Sequence, residues 1–441
     1  MTIHDTATQV LPERVSKQVA GLVSQLWQEV TEGELTPAQA EERAVELSRQ
    51  LGRELLAAGW EQRYGRQQGP QRPCACGQRQ HLEGYRQKWM ATALGATRYR
   101  RAYYRCRECG RTYHAGDREL GLEGGSYTLV AQELTCLVAS ELPYARGGAL
   151  LERLTGLGLA ASHAERITGR WGAAVEQQQA QEREALLAGE LEYLPATAGP
   201  ERLYLSADGT QTLFTDSWHE SKVGVVYEGE PDAQGQDEAV RASYVSGVRE
   251  ESEAFGARWY QEARRRGVEQ ASEVIVVADG GPWIWNLVAE HFPQAVQILD
   301  FYHASERLYE VGKAVYGEGA AAGKRWAEAN RSRLLRGQVG AMLRSLQALQ
   351  PRTEEGREAV RLARGYFQSN RSRMRYAQYR ARGYHIGSGV VEAGCKQVVG
   401  ARCKGAGMRW TQAGAQHVLA LRCLLLSNRW DQHWQLLKAA A

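Results

Sequence analysis

A chain of 441 residues has room for two to four domains at ~100–200 residues each. Its 43% hydrophobic and 24% charged residues are ordinary for a folded protein and exclude a mostly disordered or fibrous chain. The net charge of +4 hides two basic blocks: Arg63–Arg118 carries 13 Arg or Lys against 3 acids, and Arg361–Trp410 carries 11 against 1. The remainder is therefore net acidic, and two phosphate-facing surfaces are expected. For either block alone, a solvated Arg-rich helix face is an equal reading. Apolar runs such as Val418–Leu426, broken by Arg422, fall short of the ~18 residues of a membrane span. Met1–Val10 lacks a signal-peptide pattern, so a cytoplasmic, nucleoid-associated protein with no membrane partner is expected.

Residues 1–62 read as helical. Val15, Val19, Leu22, Val23 and Leu26 recur at helical spacing, and Thr36-Pro37 reads as an N-cap followed by a first-turn proline. These are packing or dimerisation helices. Residues 63–120 turn to Gly, Tyr, Arg and Cys, with a short strand at Thr97–Cys106. Residues 121–195 return to helix. There Ala149–Gly156 followed by Ser162-His163 fits either a helix-turn-helix or a plain bundle. Pro195–Pro200 reads as a linker. From Leu203 the order is mixed: strands at Leu203–Ala207, Val223–Tyr227 and Ala242–Val248, a helix at Glu250–Arg266, and a β-branched strand at Glu273–Ala278. A helix near Trp283–His291, a strand at Ala295–Leu299 and then helices complete the chain. Three hairpin strands followed by alternating units predict a mixed sheet flanked by helices.

Four of the eight cysteines form two close pairs, Cys74-Ala75-Cys76-Gly77 and Cys106-Arg107-Glu108-Cys109-Gly110. Two knuckles of thiolates, each followed by a glycine that permits a tight turn, match a tetrahedral structural zinc site. Because the first pair is CxC, His81 or His114 could replace one ligand. Four unliganded thiols are the other reading. Arg98, Arg100, Arg101, Arg105, Arg107 and Arg111, interleaved with tyrosines, suit a zinc ribbon lying on DNA. Cys136, Cys395, Cys403 and Cys423 read as small buried residues.

Three acids invite a metal. Asp208 follows the strand at Leu203–Ala207, although Asp208-Gly209 equally fits a hairpin turn. Asp279 closes the strand Val274–Ala278, where α/β sheets bind ligands, or else caps a helix. Glu392, in Gly387-Ser388-Gly389-Val390-Val391-Glu392, is the single acid of the second basic block and sits just inside a helix, with Lys396 one turn on. Together they suit two-metal phosphoryl chemistry, with Lys396, Arg402, Lys404 and Arg409 to hold phosphates. The basic block also offers Arg371, Arg373 and Arg375. In Asp300-Phe301-Tyr302-His303, Asp300 is a spare metal ligand or a helix cap, and His303 a phosphate or proton partner or a packed side chain.

Asp208-Gly209-Thr210, Asp279 to Trp285 (DGGPWIW), Asp300 to His303 (DFYH), Gly387 to Glu392 (GSGVVE), Gly405 to Trp410 (GAGMRW) and the Tyr103–Gly110 cysteine segment resemble bacterial insertion-sequence transposases of the DDE type, the ISKra-type group in particular. The resemblance covers roughly residues 70–435. It implies an RNase H-like catalytic core with Asp208, Asp279 and Glu392 as the Mg2+ or Mn2+ triad. It also implies a catalytic part for His303, a Zn2+ region at Cys74, Cys76, Cys106 and Cys109, and a helical insertion before Glu392. Asp300-x-x-His303 is similar to a signature of related groups. Lys396 departs from the usual pattern, which places a basic residue seven positions after the glutamate; here that position is Val399.

The expected fold is thus multidomain α+β: N-terminal helices (1–62), a zinc-ribbon-like domain (63–120), a helical region (121–195), an RNase H-like core (200–308), a helical insertion (309–384) and a C-terminal part of the core (385–441). The resemblance implies a transposase that binds the terminal inverted repeats of its element as double-stranded DNA. It would act as a dimer or larger assembly and carry out 3′-end cleavage and strand transfer. A metal-dependent nuclease or resolvase on the same fold, or a non-catalytic domesticated DNA-binding protein, are the alternatives.

Overall fold

A computed structural model describes residues 13–32, 35–122, 125–193, 199–232 and 235–440. Met1–Val10 and most of the expected linker at Pro195–Pro200 lie outside them. The chain is mixed α and β, with two sheets, and divides into two compact units: residues 1–168 with 431–441, and residues 169–430.

In the first unit, helices Glu13–Thr31 and Pro37–Arg63 pair through the Arg43–Glu29 bridge at 2.9 Å. Thr36 caps the second helix in a complete capping box with Gln39, as the Thr-Pro signal suggests. An antiparallel sheet follows: β1 (Gln71–Pro73), β2 (Arg79–Thr92), β3 (Gly95–Cys106) and β4 (Thr112–His114), in sequential order. β2 and β3 form a long hairpin whose buried face carries Met90 and Tyr99 against Leu120 and Leu122. Helices Leu129–Glu141 and Tyr144–Thr155 come next, the latter ended by Gly156 in the left-handed region at φ +75°.

The second unit is built on a five-stranded sheet. Its strands are β5 (Arg202–Leu213), β6 (Trp218–Pro231), β7 (Asp237–Val248), β8 (Glu273–Ala278) and β9 (Val296–Leu299), in the order β7-β6-β5-β8-β9. β5, β6 and β7 are antiparallel, while β8 and β9 run parallel to β5. Val274–Ala278 is apolar on both faces because helices cover a parallel strand from both sides. Asp208-Gly209 is no hairpin turn. Pairing runs straight through it to Leu213 and Trp218, and the chain reverses five residues later. The segment expected as an insertion is helical: Ala321–Leu335, Val339–Gln347, Glu354–Ser369 and Tyr376–Ala381 follow the helix Phe301–Tyr316. Its Ala327, Leu334, Met342 and Phe367 join the same hydrophobic core as sheet residues Leu205 and Val276. The helices therefore brace the sheet rather than form a separate body.

A buried ion network ties the helix Ser252–Arg265 to the chain near Arg429. Glu262 is fully buried and takes two 2.7 Å hydrogen bonds from Arg429. Burial opposes its charge, but Arg429 and Arg265 prevail and hold its carboxyl below the ordinary range. Glu262→Ala leaves the Arg429 guanidinium without its acid partner, while Arg265 keeps Glu182, and is expected to cost about 3 kcal/mol in urea unfolding. Since the folded pKa is the lower one, the wild-type contribution is complete above about pH 4.5 and fades as pH falls through the folded value. The gap between wild type and variant should therefore close in acid.

Candidate functional site

The register of the parallel strands assembles the principal site. Leu205 pairs with Val276, and Ala278 with Leu299. Continued past the last pair, the same register sets Asp208 level with Asp279, and Asp279 level with Asp300. Three aspartates thus form a row: Asp279 and Asp300 directly after the carboxyl ends of β8 and β9, the usual ligand edge of such a sheet, and Asp208 within β5, beyond the point where its pairing with β8 stops. Each is held differently. Asp208 Oδ1 accepts its neighbour's amide, Gly209 N, at 2.7 Å. Asp279 Oδ1 accepts Gly281 N at 2.8 Å, and its carbonyl takes the Tyr366 hydroxyl at 2.9 Å. Gly280, at φ +98°, is required here: a Cβ would lie 2.8 Å from the Tyr366 ring.

Asp300 is the N-cap of Phe301–Tyr316 and is fully buried. Its Oδ1 accepts His303 N at 2.8 Å, and its Oδ2 accepts both the amide and, at 2.5 Å, the hydroxyl of Ser388. Ser388 precedes the helix Gly389–Cys395 that carries Glu392. Asp300 therefore fastens the start of one helix to the start of another across 88 residues of sequence. Gly387 belongs to this joint, since a Cβ there would meet the Tyr302 ring at 2.7 Å. The Glu392 helix packs on β5 and β6, and Cys395 Sγ reaches Asp208 Oδ2 at 3.8 Å.

Ligand atoms of Asp300, His303 and Glu392 lie within 4.8 Å of one another. Asp208 and Asp279 fall outside that tight group but stay close enough for their charges to act on it. Burial and the Asp279 charge raise the Asp208 pKa. The Asp300 carboxylate, then Asp279 and Glu392, raise that of His303 to about 9. His303 Nδ1 lies 3.6 Å from Asp300 Oδ2. Burial works against ionised Asp300, yet the donors from His303 and Ser388 keep its pKa below the ordinary value. The group close enough to share an ion is thus Asp300, His303 and Glu392, although both Asp300 oxygens already accept hydrogen bonds from His303 and Ser388.

The cationic residues divide. Lys404 donates to Thr210, two residues beyond Asp208, at 2.5 Å and is exposed, as are Lys396, Arg409, Arg371 and Arg375. Arg402 is buried over the Trp410 ring and offers no phosphate contact, because the chain after Lys396 tightens into a π-turn at Lys396–Gly400 before the short helix Ala401–Cys403. Arg373 lies over Trp285 and donates to Gln297, which makes it chiefly a packing residue. In the first unit Arg100 and Arg105 are exposed. Arg101 instead points to the buried face of the hairpin, paired with Asp117 at 3.0 Å.

The second site lies at one end of the first sheet. Cys74, Cys76, Cys106 and Cys109 bring four sulfurs within 4.8 Å, with Cys74–Cys109 at 3.5 Å and Cys76–Cys106 at 3.7 Å. A tetrahedron with ~2.3 Å Zn–S bonds has edges of about 3.8 Å, so the set fits zinc, while a disulfide of ~2.05 Å is excluded. Gly77 and Gly110, at φ +86° and +71°, turn the two knuckles. His81 and His114 lie outside the cluster; His81 meets Gln71 and His114 stacks on Tyr103. Cys136, Cys395, Cys403 and Cys423 are buried, as small core residues should be.

Sequence reasoning missed the Asp300–Ser388 joint, Tyr366 and the Lys404–Thr210 pair. Gly-Ser-Gly before Glu392 was the available signal, but nothing local names its partner. Asp300→Ala is expected to cost about 2–3 kcal/mol in urea unfolding, because buried donors lose a charged acceptor.

A mixed α/β chain with a carboxylate edge on one sheet and a four-cysteine cluster on another is the class these features define. The chain belongs to the uncharacterised protein family UPF0236, which it matches over residues 31–429, a span that includes both sites. Comparison with curated proteins finds no match.

Proposed function

We propose that the protein is a DNA transposase of a bacterial insertion sequence, of the ISKra-type DDE group, with an RNase H-like catalytic core and a zinc-ribbon-like N-terminal sheet. The observation that supports the reading is that the register of neighbouring parallel strands sets Asp208 level with Asp279, while the helix of Glu392, 113 residues beyond Asp279, packs on β5 with its Cys395 reaching Asp208 at 3.8 Å. Asp208, Asp279 and Glu392 would hold Mg2+ or Mn2+, which supplies charge to activate a hydroxyl and to stabilise the leaving oxygen in phosphoryl transfer. The chain's own groups do the rest. Lys404, Lys396 and Arg409 hold phosphates at the rim. His303, as a cation, offsets the crowded carboxylates and hydrogen-bonds a phosphate oxygen. Asp300 fixes the angle at which Glu392 enters.

The four cysteines hold structural Zn2+, with the exposed Arg105 beside them on the DNA side. Because two element ends must meet, the working form is a dimer or larger assembly on double-stranded DNA, in the cytoplasm at the nucleoid. No described helix is long and apolar enough to cross a membrane. On the helix Glu13–Thr31, Trp27 is 72% exposed and Val23 and Val30 flank it at helical spacing, a stripe suited to a second copy.

Purified protein with Mn2+ and end-labelled DNA from the borders of its gene tests the reading. Nicked ends bearing 3′-hydroxyls, followed by joined products, are expected. Nicks without joining would favour a nuclease on the same fold.

A further inference from the structure

The first unit has a cleft of its own. It measures about 990 Å3 and lies within the first unit, where the outer face of the β2–β3 hairpin meets the helices Glu13–Thr31 and Pro37–Arg63. Residues directly opposite on two strands share a face. Gln87 pairs with Arg100 and Trp89 with Arg98, so these four and Tyr85 form one surface. That surface is layered. The Arg98 guanidinium lies 3.7 Å from the centre of the Trp89 ring, and that of Arg100 lies 4.2 Å from the Tyr85 ring. Trp89 is 55% exposed, which is unusual for so large a ring, and Arg98 and Arg100 are exposed too. Among the described residues neither arginine is in an ion pair, although Glu54 and Glu61 line the opposite wall.

We propose that this cleft binds a short run of single-stranded nucleic acid, with bases stacked on the Trp89–Arg98 and Tyr85–Arg100 layers and the phosphates drawn to the two arginines. The chemistry is specific in kind. Flat rings four residues apart on β2, each layered with one of two guanidinium planes two residues apart on β3, present stacking steps to successive bases. The hairpin from Arg79 to Cys106 carries seven cations against Glu83 alone, which suits a polyanion. An intact duplex hides its base faces, and a cleft walled by helices admits a strand more readily than a double helix. Gln87, beside the stacks, can meet a base edge. Site and ligand are distinct from the carboxylate edge, so the proposal adds unpaired nucleotides to the double-stranded ends expected above and does not depend on catalysis.

Fluorescence anisotropy of the full chain with a labelled dT12 strand, and with a blunt hairpin duplex of equal charge, tests it at 50 and 200 mM salt. The strand should bind more tightly than the duplex. Trp89→Ala should weaken strand binding about tenfold or more, Trp89→Phe should restore most of it, and Arg98→Gln should weaken it and flatten the salt dependence. Unchanged thermal unfolding of these exposed-site variants shows that the fold is intact. Asp208→Asn should bind the strand as wild type does, even if it cannot cut, so failure of the catalytic reading leaves this result standing. Strand binding that is absent at 50 mM salt, as a protein-binding cleft would give, overturns the proposal. So does strand binding indifferent to Trp89→Ala and Arg98→Gln.

Discussion

Asp208→Asn is expected to abolish DNA cleavage and joining, by about three orders of magnitude or more, while leaving the fold and DNA binding in place. The carboxylate lies level with Asp279, under its charge and half-buried, so two acids share one small volume. Burial and the neighbouring charge raise the Asp208 pKa, which marks a group held there against its own electrostatic preference. A divalent cation relieves that conflict, and an amide in place of one acid removes a hard oxygen anion from the set. Groups that act as a unit fail together, so Asp279→Asn and Glu392→Gln should each be nearly as damaging, and the double variants little worse than the singles. The stability effect has the opposite sign. Relieved of repulsion, Asp208→Asn should unfold at the same temperature as wild type or higher in the absence of metal. A gel assay of product formation, beside a thermal melt in chelator, reads both. A variant that cuts at the wild-type rate removes Asp208 from the chemistry.

Loss of the four-cysteine site should have the largest effect on the first unit. The sheet there is small, with satellite clusters such as Met90, Tyr99, Leu120 and Leu122 rather than one broad core. β1 and β4 are three residues each, and both sit beside the cysteine knuckles. The Gln78 backbone favours the Cys76 thiolate, but Cys109 and Cys74 crowd it and carry its pKa to about 12. A metal reverses that balance, since bound thiolates are deprotonated outright. Structural zinc sites supply apparent binding free energies of about 10–16 kcal/mol, and most of that is folding free energy. Cys106→Ser, or a strong chelator, should therefore melt the β1–β4 sheet and release one zinc per chain. The second unit should keep its cooperative unfolding. Hydrogen exchange and metal analysis read both halves. Undiminished protection of β2 and β3 after chelation would show that the sheet stands without metal.

The elements easiest to read from the sequence were those whose pattern is local. The strand expected at Glu273–Ala278, largely β-branched and apolar, is β8 residue for residue. The paired cysteines with their glycines announced a cluster, and the structure closes it. The acids at strand ends were visible one by one. What was not visible depends on distant partners. Asp208-Gly209 reads as a turn until β6 is known to pair through it as far as Trp218. Asp300 looked like a ligand or a cap because Ser388, which occupies its second oxygen, is 88 residues away. Arg402 read as a phosphate contact, but the π-turn before it and Trp410 beside it turn the side chain inward. Arg101 alternates with Arg100 along β3, and only pairing with β2 tells which of them faces the cleft. Period and composition reach the strand, while register and long-range packing decide which side chain meets which.

Mobilisation in cells tests the central claim most directly. A selectable marker flanked by the DNA that borders this gene is supplied with wild-type protein or with Asp208→Asn at matched expression. The transposase reading predicts marker movement with wild type alone, with junctions that contain intact element ends. Movement with both proteins, or with neither when both bind the flanking DNA, would contradict it.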